Sequence, residues 1–193
     1  MNDKEICVKL KEHWPPDTIE DNRSFSEIVS NFPSMLKKLT NKENRLDILE
    51  YFGKEGVGKE TSYKLLKSRF TQLEKENFKG IYVFWYKDEP FYTGISRVVI
   101  KRILQHIKGA NHFSSSLCYT MGKELYEEIS GKKHSGTRKE LDFKKYSEPY
   151  KRFLKEKCQV SLLPIEGSIE LYLFEVYVAV ELNLHYYNKF DTH

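Results

Sequence analysis

A chain of 193 residues with 39% apolar and 14% aromatic content is long enough to bury a core in one domain, or in one domain with an extension. No apolar run approaches the length of a membrane-spanning helix, and the opening MNDKEICVKLKEHW lacks the apolar stretch of a secretion signal, so the expectation is a cytoplasmic protein with no membrane partner. The net charge of +4 is modest but unevenly spread: residues 97–157 hold 15 Lys/Arg against 7 Asp/Glu, whereas residues 158–193 hold one lysine against five acids. Such a basic excess is the footprint that phosphate backbones attract, although an ordinary solvated surface has the same composition.

The first 79 residues carry 15 Lys/Arg against 14 Asp/Glu and read as three or four short helices with no convincing strand. From Asp17 to Leu39, apolar residues recur at helical spacing with an interruption at Pro33. A second run spans Leu46 to Phe52, and a third runs from Thr61 to Phe78. Between the last two lies GKEGVGKE, where Gly53, Gly58 and Lys59 match the GxxxxGK of a phosphate loop. Glu60 stands where that chemistry needs a hydroxyl, so a Gly-rich turn is the expectation.

At Gly80 the pattern changes. GIYVFWY is β-branched and aromatic, KDEP is turn chemistry and FYTGIS is a second strand, which predicts a hairpin. Ser96 can cap a helix through RVVIKRILQHIKG, ended by Gly109, and FSSSLCYTMGKELYEEI reads as another helix entered through serines. SGKKHSGTRKE is a basic loop. A helix from about Glu148 to Lys157, a third strand QVSLLPI and a final helix opened by Ser168 complete the chain. The expected fold is α+β: a small antiparallel three-stranded sheet flanked by helices (residues 79–193), preceded by a helical N-terminal region (residues 1–78). Cys7, Cys118 and Cys158 are far apart with no CxxC spacing, which fits reduced packing thiols better than disulfides or a zinc site.

Two polar placements stand out. Arg102 and His106 are four apart on one helix face, which suits a phosphate or an ordinary surface pair. Glu175 lies among Leu171, Tyr172, Val178, Ala179 and Leu182 on the last helix. An unpaired carboxylate there costs at least several kcal/mol, so a partner cation, a metal, a wet cleft or a raised pKa is expected.

Gly80-Ile81-Tyr82, then nine residues, then Tyr92-Thr93-Gly94, resembles the paired motif of the GIY-YIG nuclease family, with Thr in place of the central Ile. Arg102 and His106 follow at the family's spacing, NHFSSSL resembles its His-x-Ser-Ser segment, Glu175 falls on a similar helix, and Tyr187-Asn188 resembles the terminal Tyr-Asn, with Asn183 as competitor. The resemblance covers about residues 78–190. It implies a GIY-YIG-like fold and a DNA endonuclease with one divalent ion, magnesium or manganese, held by Glu175. Arg102 would stabilise phosphoryl charge, Tyr82 would help activate water through His106, Tyr92 would position water or phosphate, and Asn188 would orient the helix end or a phosphate. With the ordinary phenol pKa near 10, Tyr82 needs nearby cations to act as a base. Lys132, Lys133, Arg138 and Lys139 of the inserted basic loop are the expected DNA contacts. A module that retains the fold and binds nucleic acid without turnover is the alternative. Cutting both strands with one site per chain calls for sequential nicks or a homodimer.

Overall fold

The structure is a computed structural model and describes residues 23–190. Cys7, and the part of the first expected helix before Arg23, lie outside that range. Helices α1 (Phe25–Ser30) and α2 (Phe32–Thr40) meet at Asn31, with Pro33 in the first turn of α2, where its missing N–H costs nothing. Strand β1 (Leu46–Asp47) and a wide helical turn, Leu49–Gly53, precede α3 (Lys59–Arg69). Next come β2 (Gly80–Tyr86), β3 (Glu89–Ser96), α4 (Val99–Lys108) and α5 (Ser116–Ser130). Helix α6 (Glu148–Lys157), strand β4 (Gln159–Pro164) and helix α7 (Ser168–Glu181) follow.

The hairpin forms because Lys87 and Asp88 both take positive φ, 47° and 70°. That gives the primed two-residue turn whose twist matches paired strands. A bulge between Phe84 and Trp85 makes Phe91 the extra residue, so that Phe84 faces Tyr92 and Trp85 faces Pro90. Ser96 does not cap α4 as expected. Val98 holds the cap position, and the Ser96 hydroxyl accepts from the Val98 N–H instead. Ser115 does cap α5, accepting from the Cys118 N–H.

The sheet is antiparallel with order β1-β4-β2-β3. It has four strands rather than the expected three. Leu46 and Asp47 pair with Val160 and Gln159, and a strand of two residues is too short to show a period against the helical pattern around it. One face of β2 presents Tyr82 and Phe84 to Ile100 and Ile103 of α4, Leu117 of α5, Leu154 of α6 and, from the N-terminal region, Leu46, Phe52 and Leu66. The other presents Ile81, Val83 and Trp85 to Leu171, Phe174 and Val178 of α7 and to Ile28, Phe32 and Leu39 of α1 and α2. The N-terminal segment therefore supplies both an edge strand and side chains to both cores. Each of these buried side chains contributes about 1.5–3 kcal/mol. Among the described residues no helix is long and apolar enough to cross a membrane.

Candidate active site at the free edge of the sheet

β3 is an outer strand, and its outward backbone groups need partners. At Thr93 the partner is Asn188: Oδ1 accepts from the N–H at 3.0 Å and Nδ2 donates to the C=O at 2.7 Å. Two residues on, the Ile95 N–H faces the same way, and the carboxylate of Glu175 interacts with it. Helix α7 lies against one face of the sheet, yet this side chain reaches over its edge. The alternative terminal Asn is excluded from the site: Asn183 is exposed, has φ 56° and ends α7.

On the opposite face, strand register brings the two tyrosines together. Tyr82 pairs with Gly94 and Phe84 with Tyr92, so the phenols are diagonal neighbours with ring centroids 6.3 Å apart. Gly94 is required because a Cβ there would fall 2.5 Å from the Tyr82 hydroxyl, and at Gly80 it would fall on the Leu163 carbonyl. The glycines thus admit a phenol and a neighbouring strand. The Thr that replaces the expected Ile is fully buried, with its hydroxyl donating to the Tyr82 carbonyl at 3.1 Å.

Helix α4 carries the next two groups. Nε2 of His106 lies 2.8 Å from the Tyr82 hydroxyl, and Nδ1 lies 2.7 Å from the Ser115 hydroxyl. Burial, with the Arg102 and Lys151 charges, holds His106 well below its usual pKa, so it is a neutral imidazole. The neutral ring donates from one nitrogen and accepts at the other, so Tyr82, His106 and Ser115 form one hydrogen-bonded chain, and Ser115 also accepts from the Cys118 N–H. Arg102 donates to the Ser114 carbonyl at 3.2 Å, and its charge acts on both phenols. Lys151, only 3% exposed, donates to the carbonyls of Gln105 and His106 and to the Ser114 hydroxyl, and so fastens the end of α4.

The electrostatics separate the two phenols. Burial pushes Tyr82 well above the ordinary phenol pKa, Tyr92 adds to the rise, and Arg102 only partly opposes it. At 1% exposure Tyr82 has no contact with solvent. The role of water-activating base expected for Tyr82 therefore does not fit this environment; it is a buried phenol behind the site. Tyr92 is half-buried and is raised by burial, lowered by Arg102 and raised by Glu175, which makes it the group that both charged side chains act upon. Glu175 is pushed up to about 7 by burial, with the Ile95 N–H pulling against the shift.

Among the described residues Arg102 has no carboxylate partner and Glu175 no cation. A half-buried guanidinium and a half-buried carboxylate thus both act on Tyr92, each without its own counter-charge among the described residues. No group of three or more His, Cys, Asp or Glu among the described residues forms a ready-made cage. A single carboxylate whose burial is uncompensated still fits a hard divalent cation that keeps most of its water.

The basic loop does not gather the expected contacts in one place. Lys132 and Lys133 follow the far end of α5, about 22 Å along its axis from the first turn. Arg138 returns to that first turn, stacking over Tyr119 at 4.8 Å and reaching Ser116, while Lys139 is exposed beside it. His112 is buried with both ring nitrogens engaged, by the Ser147 hydroxyl at 2.8 Å and the Leu141 carbonyl at 2.7 Å, which makes it a structural group. The sequence marks Ser115 only within the His-x-Ser-Ser resemblance and the serine run, without a role toward His106, and gives no sign of Lys151. Lys59 of the phosphate-loop look-alike is paired with Glu76 at 3.1 Å.

Comparison with protein-family models, curated proteins and solved structures finds no match for this chain.

Proposed function

We propose that the protein is a divalent-metal-dependent endonuclease of the GIY-YIG type that hydrolyses DNA phosphodiester bonds in the cytoplasm. The observation that carries this reading is the unpaired couple, Arg102 on α4 and Glu175 on α7, both acting on Tyr92 of the outer strand β3. A planar guanidinium with free donors suits the non-bridging oxygens of a phosphate whose charge grows as bonds to phosphorus change. Glu175 is the residue that would hold the metal, which when bound supplies Lewis-acid contact to phosphate and water. Tyr92, the more accessible phenol, orients the attacking water or the phosphate. Tyr82, His106 and Ser115 form a buried hydrogen-bonded chain behind it and act as positioning residues, and Asn188 fixes the strand on which Tyr92 stands.

Binding without turnover is the second reading. The observation in its favour is the depth of Tyr82, a phenol held protonated. Incubating the purified protein with supercoiled plasmid in magnesium, in manganese and in chelator separates the two. Metal-dependent nicking that disappears in Glu175→Gln and persists in Glu181→Gln supports the enzyme, and plasmid that is bound but never nicked supports the binding module.

A further inference from the structure

A cleft of about 470 Å³ opens not at the phenols but behind Lys151, between the C-terminal end of α4 and helix α6. Its walls carry Lys108, Lys144, Lys151, Arg152 and Lys155 against two carboxylates, Glu148 and Glu156. None of these charges makes an ion pair among the described residues. Lys151 spends its three donors on Gln105, His106 and Ser114, which leaves Lys144, Arg152 and Lys155 as cations without a hydrogen-bond or ion-pair partner among the described residues. Lys108 is fixed in the wall by donating to the backbone carbonyls of Lys54 and Val57.

Those two carbonyls belong to the glycine-rich turn that resembled a phosphate loop. A Cβ on Gly53 would fall 2.9 Å from Cγ of Lys155, so this glycine lets the lysine stem pass along the turn toward the cleft. Lys155 and Lys108 repel one another, and burial and that repulsion lower the pKa of Lys108. With five cations against two carboxylates, the lining carries an excess positive charge that an entering anion would offset. The cleft also borders the candidate active site through one residue: Ser114 accepts from Arg102 with its carbonyl and from Lys151 with its hydroxyl, while a Cβ on Gly109, in the cleft wall, would meet that hydroxyl.

We infer that this cleft is a second phosphate-binding site, which takes the backbone of a DNA strand on the stretch flanking the phosphate held at Arg102. The identity of the polymer rests on the proposed function; the anion site itself rests on the cleft. Its contacts are to phosphate and carry no base preference. The basic surface therefore runs from Arg102 past Ser114 to Lys155 and Arg152, and not along Lys132 and Lys133 at the far end of α5.

The test is fluorescence anisotropy of a fluorescein-labelled DNA duplex of mixed sequence, titrated with the full chain in chelator over a series of salt concentrations, alongside plasmid nicking in magnesium. The cleft variant is Arg152→Gln with Lys155→Gln. The control removes the same charge from α2, on the opposite face of the sheet, as Lys37→Gln with Lys38→Gln. Each lost phosphate contact lowers the slope of log K against log salt by about 0.9, so the cleft variant is expected to lose close to two units of slope and the control almost none. Should the cleft variant prove unfolded by circular dichroism, Lys144→Gln with Arg152→Gln, both exposed, replaces it with the same expectation. Equal slopes in cleft variant, control and parent overturn the inference, and if the parent still nicks plasmid the proposed function is untouched. A parent that binds through the cleft but never nicks keeps the inference and removes the proposed function. A parent that does not bind the duplex at all removes both.

Discussion

The side-chain amide of Asn188 takes both backbone groups of Thr93, accepting at 3.0 Å and donating at 2.7 Å, as the backbone of one more strand residue would. The C-terminal segment thereby closes the sheet edge beside Tyr92. Both bonds are buried, so their loss leaves two backbone groups without partners. Asn188→Ala is expected to cost about 2–3 kcal/mol in urea unfolding. Asn188→Asp is expected to cost at least as much, because a carboxylate can accept from the N–H but cannot donate to the carbonyl. Asn183→Gly, at a left-handed position, is expected to change stability by less than about 1 kcal/mol.

Tyr82 and Gly94 are similarly interdependent. Gly94→Ala places a methyl 2.5 Å from a hydroxyl that is itself held by His106. The strand or the phenol must shift, at an expected cost of about 1–3 kcal/mol. Tyr82→Phe relieves only part of the clash, since the ring carbon Cζ lies 2.7 Å away, and it leaves Nε2 of His106 without its hydrogen-bond partner. The double variant is therefore expected to be less destabilised than the sum of the singles, measurable as a coupling energy in a double-mutant cycle.

Glu175 makes stability depend on pH in a definite direction. Its carboxyl titrates at about 7 in the folded chain against an ordinary 4.5. Between those values the folded chain keeps a proton that the unfolded chain has released, so stability falls as pH rises through this window and the whole penalty applies above it. The penalty is at most about 3 kcal/mol and is reduced by whatever solvent reaches the group. Glu175→Gln is expected to match the parent in urea at pH 4 and to exceed its stability at pH 8. Under the proposed function, magnesium at pH 8 raises the melting temperature of the parent but not of this variant.

Arg102 tests the chemistry apart from the fold. Arg102→Lys keeps the charge and loses the planar fork that donates to the Ser114 carbonyl beside the phenols. A fall in single-turnover nicking rate of about a hundredfold or more, with unchanged duplex affinity, is the expected result for a group that acts on the developing charge. An equal loss in both quantities would instead make it one phosphate contact among several.

Much of the fold was legible because its signals are local. Gly80–Tyr86 reads as a strand from its β-branched and aromatic run, and Glu148–Lys157 and Ser168–Glu181 read as helices from their apolar spacing. Leu46–Asp47 was not legible, because two residues fit any period and become a strand only when β4 lies beside them. Asn188 could be marked as a candidate from its place after Tyr187, but the Thr93 backbone it grips is 95 residues away. Lys151 carried no signal, because a lysine on an apparently ordinary helix is indistinguishable from one that caps another helix.

The sequence alone determined which residue types are present at motif spacing: two glycine-flanked tyrosines, an Arg and His one turn apart, and an acid on an otherwise apolar helix. The tertiary structure decided their environments. Register made the tyrosines diagonal neighbours, burial turned one into a protonated strut and left the other under the influence of two opposite charges, and helix packing drew scattered lysines into one cleft. Charge and proton affinity depend on what surrounds a group in space, and chain order leaves that open until distant segments meet.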